Sequence, residues 1–395
     1  MTEIVISGYY GFGNAGDEAM LEATLRGLRR RLDEGETKIT VVSGRSDQVR
    51  AAHGVEALDR LDLLGIGRAL GRADLFLSGG GTLLQDRTSF RNLAYHLMLF
   101  EMARRAGSRT MIYAQGVGPV RTLLGRTLAS RVLRGLDAIT VRDPASAEAL
   151  RTLGVTDPPA EVTADPAFAL EPCRPERTQE ILRDERLDTA GRPLLALAPR
   201  GLRHRELEAK GLAALADWTI RRLKARPLIL PMQYPNDLVS CDMILAHMRE
   251  PEGASVVRGR LKPAEIMGLL GQCELVVGVR LHALIFAAAV GTPLAGVEYD
   301  PKVGYFLSRL GFRPLARLEN LGSGAEDLII GLERAWAERQ AIREKIAAVA
   351  PEFRRLAERN FDVASEMARR GRARKRAREP ARLPGGGPKL GGGPR

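Results

Sequence analysis

Residues 3–18 read EIVISGYYGFGNAGDE: an apolar run, a loop rich in glycine and aromatic residues, and the acidic start of a helical pattern. Strand, tight loop and helix in that order open a parallel α/β sheet, whose ligands bind beyond the carboxyl ends of the strands. A dinucleotide fingerprint is not met. Gly11 and Gly13 supply its first two glycines, but Gly16 is followed by Asp17 and Glu18, which would repel a pyrophosphate at the helix start. The loop instead places Tyr10, Phe12 and Asn14 at a ligand-facing edge, where ring faces suit a sugar. The plainer reading is a structural turn with Asn14 and Asp17 as helix caps.

The rhythm continues outward. Apolar runs at 39–43, 75–78, 110–114 and 138–141 alternate with helical patterns at 17–32, 90–106 and 144–153. A proline-rich, apolar-poor stretch follows, and the rhythm restarts at 194–198 and runs through 228–230, 255–257, 275–277 and 294–297. The fold class is α/β, with two Rossmann-like domains at 1–172 and 190–335 whose parallel sheets face an interdomain cleft. Residues 336–370 read as helices that break at Pro351 and partly return to the first domain. Residues 371–395 turn into Arg, Gly and Pro, a composition that buries no core and predicts disorder.

The charge of +12 is unevenly placed. Residues 369–395 hold ten Arg or Lys and one acid, Glu379, so the body is nearly neutral and nucleic acid is not an expected partner. The basic tail suits an anionic membrane surface instead. Three scattered cysteines without a CxxC fit a reduced compartment and no structural zinc. No basic, apolar leader precedes the first strand and no apolar run spans a membrane, so the expected location is cytoplasmic, with the tail at the inner face of the plasma membrane.

Five further segments carry candidate chemistry. Residues 78–86, SGGGTLLQD, expose successive N–H groups at Gly80 and Gly81 to an anion or hydroxyl, or form a packing turn. Residues 114–119, AQGVGP, place Gln115 toward a sugar hydroxyl, or simply turn the chain. In 140–144, TVRDP, Arg142 closes an apolar strand with a planar fork for carboxylate or phosphate, or pairs with Asp143 or Asp165. Residues 278–293, GVRLHALIFAAAVGTP, put Arg280 and His282 at the mouth of an apolar helix, where the dipole favours anions and an imidazole carries a proton. His53, His96, His204 and His247 lack such a frame. Residues 296–304, GVEYDPKVG, bring Lys302 to a neighbouring strand end. Neither metal-ligand spacing nor a nucleophile elbow is present.

Taken in order, GYYGFGNAGDEA, SGGGTLLQD, AQGVGP, VRDPAS, GVRLHALIFAAAVGTP and GVEYDPKV resemble the polysaccharide pyruvyltransferase family, especially its cell-wall branch, CsaB. The resemblance covers residues 3 to about 306. It implies a GT-B-like pair of Rossmann-like domains and transfer of the enolpyruvyl unit of phosphoenolpyruvate to a sugar as a cyclic pyruvate ketal. In the cell-wall branch the acceptor is N-acetylmannosamine of a lipid- or nucleotide-linked secondary cell-wall polysaccharide precursor, and the ketal anchors surface-layer proteins. No cofactor or metal is implied. The matching positions are Tyr10, Phe12, Arg142, His282 and Lys302.

On that reading Arg142, Arg280 and Lys302 face the carboxylate and phosphate, and His282 is the general acid/base. Tyr10 and Phe12 form the acceptor platform. A GT-B nucleotide-sugar glycosyltransferase, and a non-catalytic binding protein driven by the tail, are the competing classes.

Overall fold

Ile4, Val5 and Ile6 are at most 2% exposed, because their strand is sandwiched between helices on both faces. The computed structural model describes residues 1–87, 89–187, 191–201, 205–318 and 325–377. The first half runs β1 (Thr2–Ser7), α1 (Ala15–Arg31), β2 (Thr37–Ser43), α2 (Ser46–His53), β3 (Glu56–Asp59), α3 (Leu63–Arg72), β4 (Leu75–Gly79), α4 (Phe90–Arg105), β5 (Arg109–Gln115), α5 (Leu123–Leu133), β6 (Ala138–Val141), α6 (Pro144–Thr152) and β7 (Glu161–Val162). The second runs α7 (Pro175–Asp184), β8 (Leu194–Ala198), α8 (Arg205–Trp218), β9 (Arg226–Ile229), α9 (Leu238–His247), β10 (Ser255–Val256), α10 (Pro263–Leu270), β11 (Cys273–Gly278), α11 (Leu281–Ala289), β12 (Leu294–Glu298), α12 (Pro301–Arg309), β13 (Ala316–Arg317), α13 (Glu326–Ala337) and α14 (Arg339–Arg376).

Every described strand pair is parallel. The sheets are ordered β3-β2-β1-β4-β5-β6-β7 and β10-β9-β8-β11-β12-β13. Strand order reverses beside β1 in one sheet and beside β8 in the other. Such switch points open a crevice at the carboxyl edge. The loops after β1, β4, β8 and β11 therefore converge on the ligand-binding region. The expected α/β architecture is the observed one. The short strands β3, β7 and β13 were not read from the sequence; each holds only two or four residues, and Glu56, Asp59, Glu161 and Arg317 interrupt any apolar run there.

The C-terminal helix differs from expectation. α14 passes through Pro351 unbroken, and the interruption falls at Glu338 instead. Pro351 and Ala347, whose carbonyl loses its partner, both lie on the exposed side, so water satisfies the freed oxygen. The opposite side is anchored by Ile346, Phe353, Ala357, Phe361 and Ala364, all buried. The helix also runs to Arg376, past residue 370. Residues 378–395, the rest of the expected tail, lie outside the described residues, as does His204.

α14 lies across β1, β4 and β5 beside α1. Gly27 and Gly371 permit this approach. A Cβ on Gly27 would strike the Phe361 ring at 2.4 Å, and one on Gly371 the Asp74 carbonyl at 2.1 Å. Asn360, fully buried, donates from Nδ2 to Ala164 O (3.0 Å) and accepts from Thr163 Oγ1 (2.8 Å). Among the described residues no helix is long and apolar enough to cross a membrane.

Phe361→Ala removes a buried ring at the α1–α14 seam and is expected to destabilise by about 3 kcal/mol. Pro351→Ala restores a hydrogen bond on the exposed side and is expected to stabilise by about 1 kcal/mol or more. Thermal unfolding of the two variants should shift in opposite directions.

Candidate active site

His282 stands in the first turn of α11, placed there by the buried strand β11 before it. Its Nε2 lies 3.4 Å from Asp165 Oδ2, close enough for an ion pair but outside hydrogen-bond geometry. Its other edge rests on α1, where a Cβ at Gly16 would fall 1.9 Å from Nδ1. The histidine of the second half is thus seated on the first.

Asp165 is 3% exposed and caps the short turn Pro166–Ala169, accepting from Ala167 N at 3.1 Å. Arg142, 6% exposed at the end of β6, donates from one guanidinium nitrogen to Asp165 Oδ2 (3.2 Å) and from the other to Thr82 Oγ1 (3.3 Å). Arg309 of α12 donates to the backbone carbonyls of Arg142 (2.6 Å) and Thr163 (3.1 Å), tying the second half to this cluster.

Asp17 is the second buried carboxylate, 3% exposed, in the first turn of α1. Its Oδ2 accepts from Asn14 Nδ2, while its buried Oδ1 has no hydrogen-bond partner among the described residues and faces Gly81. Burial pushes the Asp17 carboxyl up, and the charges of His282, Arg142 and Lys302 only partly offset this. Burial acts the same way on Asp165, but there His282 and Arg142 prevail and hold it below the usual carboxylate range. One carboxylate is kept anionic and its neighbour is biased toward the acid, the separation that acid–base sites exploit.

On the facing wall, the Arg200 guanidinium lies over the Tyr299 ring at 3.8 Å, and Lys302 Nζ sits 5.4 Å from the same ring centroid. Neither has an acidic side chain in ion-pair contact among the described residues. Burial lowers the Arg200 value, since the interior disfavours its charge. Lys302 opens α12, whose cap Asp300 accepts from the Lys302 N–H at 3.2 Å and pairs with Arg87 at 3.0 Å. No group of three or more His, Cys, Asp or Glu among the described residues has the arrangement of a metal site.

Three sequence candidates have other employment. Tyr10 is 1% exposed, its ring held against Gly8 and Gly80, so it is core and not an acceptor platform. Phe12 remains at the edge, stacked on Tyr9 at 4.3 Å between centroids; Tyr9 is the exposed ring of the loop. Gln115 is fully buried and donates from Nε2 to Ser78 Oγ at 2.9 Å, so it braces two strand ends, while its Oε1 has no hydrogen-bond partner among the described residues. Arg280 grips Asp237 with both fork nitrogens and donates to Gln233 Oε1 at 3.0 Å, which neutralises it. Through that grip it shapes the loop that binds α1, where Ala15 N donates to Met232 O (2.8 Å) and Tyr234 N to Gly13 O (2.9 Å).

The remaining candidates keep local roles that also border the site. Asn14 caps α1, accepting from Gly16 N at 3.3 Å. Gly80 and Gly81 adopt φ of 84° and 68°, which glycine tolerates. The Arg142–Asp165 pair is among the contacts the sequence left open. Asp165 and Arg200 were missed as site residues. The signals were present: an Asp-Pro step at 165–166 like those at 143–144 and 300–301, and an arginine closing the apolar run at 194–198 as Arg142 closes its own.

Glu18, one turn into α1, accepts from Gly11 N at 2.7 Å, and burial pushes its carboxyl up to about 7. A carboxyl raised on folding stabilises the fold only while protonated. The contribution is whole below pH 4.5 and is lost as pH rises through about 7. Glu18→Gln should flatten the fall in melting temperature across that window; an unchanged profile overturns the assignment.

Solved structures share this architecture at low identity. HepE of Anabaena, solved with UDP-glucose, aligns with a TM-score of 0.59 at 10% identity over 95% of this chain and 100% of its own. UDP-GlcNAc 2-epimerase of Neisseria meningitidis, solved with UDP-GlcNAc, gives 0.61 at 12% over 93% and 100%. A glycosyltransferase of Rickettsia africae gives 0.60 at 9% over 93% and 98%. These likenesses establish a GT-B-like fold. The sequence pattern described as polysaccharide pyruvyl transferase matches residues 14–301, from the cap of α1 to the first residue of α12, a span that holds Asp17, Arg142, Asp165, Arg200 and His282 and ends one residue before Lys302. By that match the chain belongs to the polysaccharide pyruvyl transferase family.

Proposed function

We propose that the protein transfers the pyruvyl group of phosphoenolpyruvate to two hydroxyls of one sugar, forming a cyclic ketal and releasing phosphate. The observation that carries this reading is His282 braced by buried Asp165, with Arg142 on the same carboxylate, Lys302 near enough to act with both on Asp17, and Arg200 sharing the Tyr299 ring with Lys302. Phosphoenolpyruvate bears a carboxylate and a phosphate, and Arg200 and Lys302 are cations that make no ion pair among the described residues.

The chemistry divides into balanced steps. The methylene carbon gains a proton, and a sugar hydroxyl adds to the central carbon as it loses its own proton. The C–O bond to phosphate then breaks, and a second hydroxyl closes the ketal as its proton passes to the departing phosphate, which leaves as inorganic phosphate. His282 is the group that gives and takes these protons, and anionic Asp165 stabilises the imidazolium form. The stacked Tyr9–Phe12 pair is the acceptor surface in place of Tyr10. On the resemblance to the cell-wall branch, the acceptor is N-acetylmannosamine in a precursor of a secondary cell-wall polysaccharide.

A nucleotide-sugar transferase is the alternative, favoured by the UDP-sugars in two fold neighbours. Saturable UDP-sugar binding with none for phosphoenolpyruvate would decide for it. Mass spectrometry of a lipid- or nucleotide-linked disaccharide after incubation with phosphoenolpyruvate should show a gain of one pyruvyl unit.

In a phosphate-release assay with phosphoenolpyruvate and acceptor, His282→Ala is expected to lower kcat by about 10²–10⁴. Asp165→Asn should lower kcat with little change in KM, as expected when an orienting anion is lost. Arg200→Ala and Lys302→Ala should raise KM for phosphoenolpyruvate about tenfold or more. Wild-type turnover in both His282→Ala and Lys302→Ala sinks the proposal.

A further inference from the structure

Ten large apolar side chains are exposed among the described residues, and half of them sit on one rim. Leu61 (76% exposed), Leu63 (43%) and Leu64 (81%) form the turn into α3, and Leu123 (84%) and Leu124 (59%) begin α5. The other five, Met1, Tyr9, Val239, Tyr305 and Ile330, are not on these two helix starts. Single exposed leucines are ordinary; a clustered set marks a surface that something covers.

The topology brings the two groups to one edge. α3 follows β3 and α5 follows β5, so both helices start at the carboxyl edge of the first sheet. They flank α4 on the same face, where Ile66, Phe100 and Leu133 share one core. At ordinary helix spacing the two leucine groups stand roughly 20 Å apart. The rim is also built as one piece. Tyr95 of α4 donates to Arg60 O at 2.8 Å, and Asp86 accepts from Arg121 N and Thr122 N, each at 2.8 Å.

Four arginines and three acids surround the leucines. Arg60, Arg68, Arg91 and Arg121 are exposed and make no ion pair among the described residues. Elsewhere, some exposed arginines are paired, as at Arg50, Arg72, Arg104 and Arg151, and others, as at Arg30, Arg131 and Arg222, make no ion pair among the described residues. The acids of the rim are committed to backbone: Asp59 accepts from Leu61 N, Asp62 caps α3, and Asp86 caps the entry to α5. The four arginines are left to an outside anion.

We infer that this rim docks the protein on an anionic lipid bilayer, with Leu61, Leu63, Leu64, Leu123 and Leu124 entering the headgroup–acyl boundary and the four arginines meeting lipid phosphates. Leucines projecting from fixed helix starts with unpaired arginines beside them are the combination that interfacial binding requires. A second protein would have to supply both apolar pockets and acids at matching positions, whereas a bilayer offers both everywhere. The surface draws its leucines and arginines from residues 60–124, and it lies on the carboxyl edge that also bears the exposed ring of Tyr9.

The test uses the full chain and its Leu64→Glu/Leu123→Glu variant, sedimented with phosphatidylcholine vesicles with and without phosphatidylglycerol. Both positions are exposed, so the variant should melt at the wild-type temperature. The expected result is binding that needs phosphatidylglycerol and weakens at least about tenfold in the variant. A Leu64→Trp chain should show a blue shift on adding the anionic vesicles. Equal binding by wild type and variant, with no blue shift, assigns any membrane affinity to the tail and overturns the proposal. A concentration-dependent dimer lost in the variant, without vesicle binding, overturns it in favour of a second copy.

Discussion

Arg142 and Asp165 share a salt bridge at 3.2 Å with almost no water around it, and His282 arrives beside it from the other half of the chain. Buried ions are tolerated only when their partners are held in place, because an unpaired charge in the interior costs several kcal/mol. That requirement orders the surroundings. Arg309 fixes the backbone of Arg142 and Thr163, Asn360 of α14 fixes Ala164 next to Asp165, and Thr82 takes the remaining fork nitrogen of Arg142. The helix that crosses back over the first sheet is thereby part of the site's support.

The same cluster explains the uneven treatment of its carboxylates. Asp165 has a cation on each side and stays anionic; Asp17 has one free oxygen, less compensation, and a neighbour of its own sign. Arg200 and Lys302 add cations that make no ion pair among the described residues. The site therefore has an interior that holds protons in defined places and a mouth that attracts anions, two properties that a pyruvyl donor with both carboxylate and phosphate would use.

Much of the fold was legible because it rests on period and punctuation. Long apolar strands and a cap such as Asn14 announce themselves locally. Position along the chain also put Arg142, His282 and Lys302 at strand or helix ends, where the structure has them. Burial was not legible. Tyr10 and Gln115 occupy loops that read as ligand-facing, yet neighbouring strand ends close over them; Arg280 reads as free until Asp237, 43 residues earlier, is brought beside it. Pro351 failed for the opposite reason: a local rule about helix breaking was overridden by packing along the rest of α14.

Gly16 gathers these lessons in one position. A glycine at a helix start reads as flexibility or as a phosphate cradle. Here its missing side chain is occupied volume, filled by an imidazole that the chain supplies 266 residues later. Positions 16 and 282 therefore behave as one unit under substitution: any side chain at the first displaces the second, however well the helix itself accepts it. The earliest loop of the sequence carries, as an omission, the outline of the histidine.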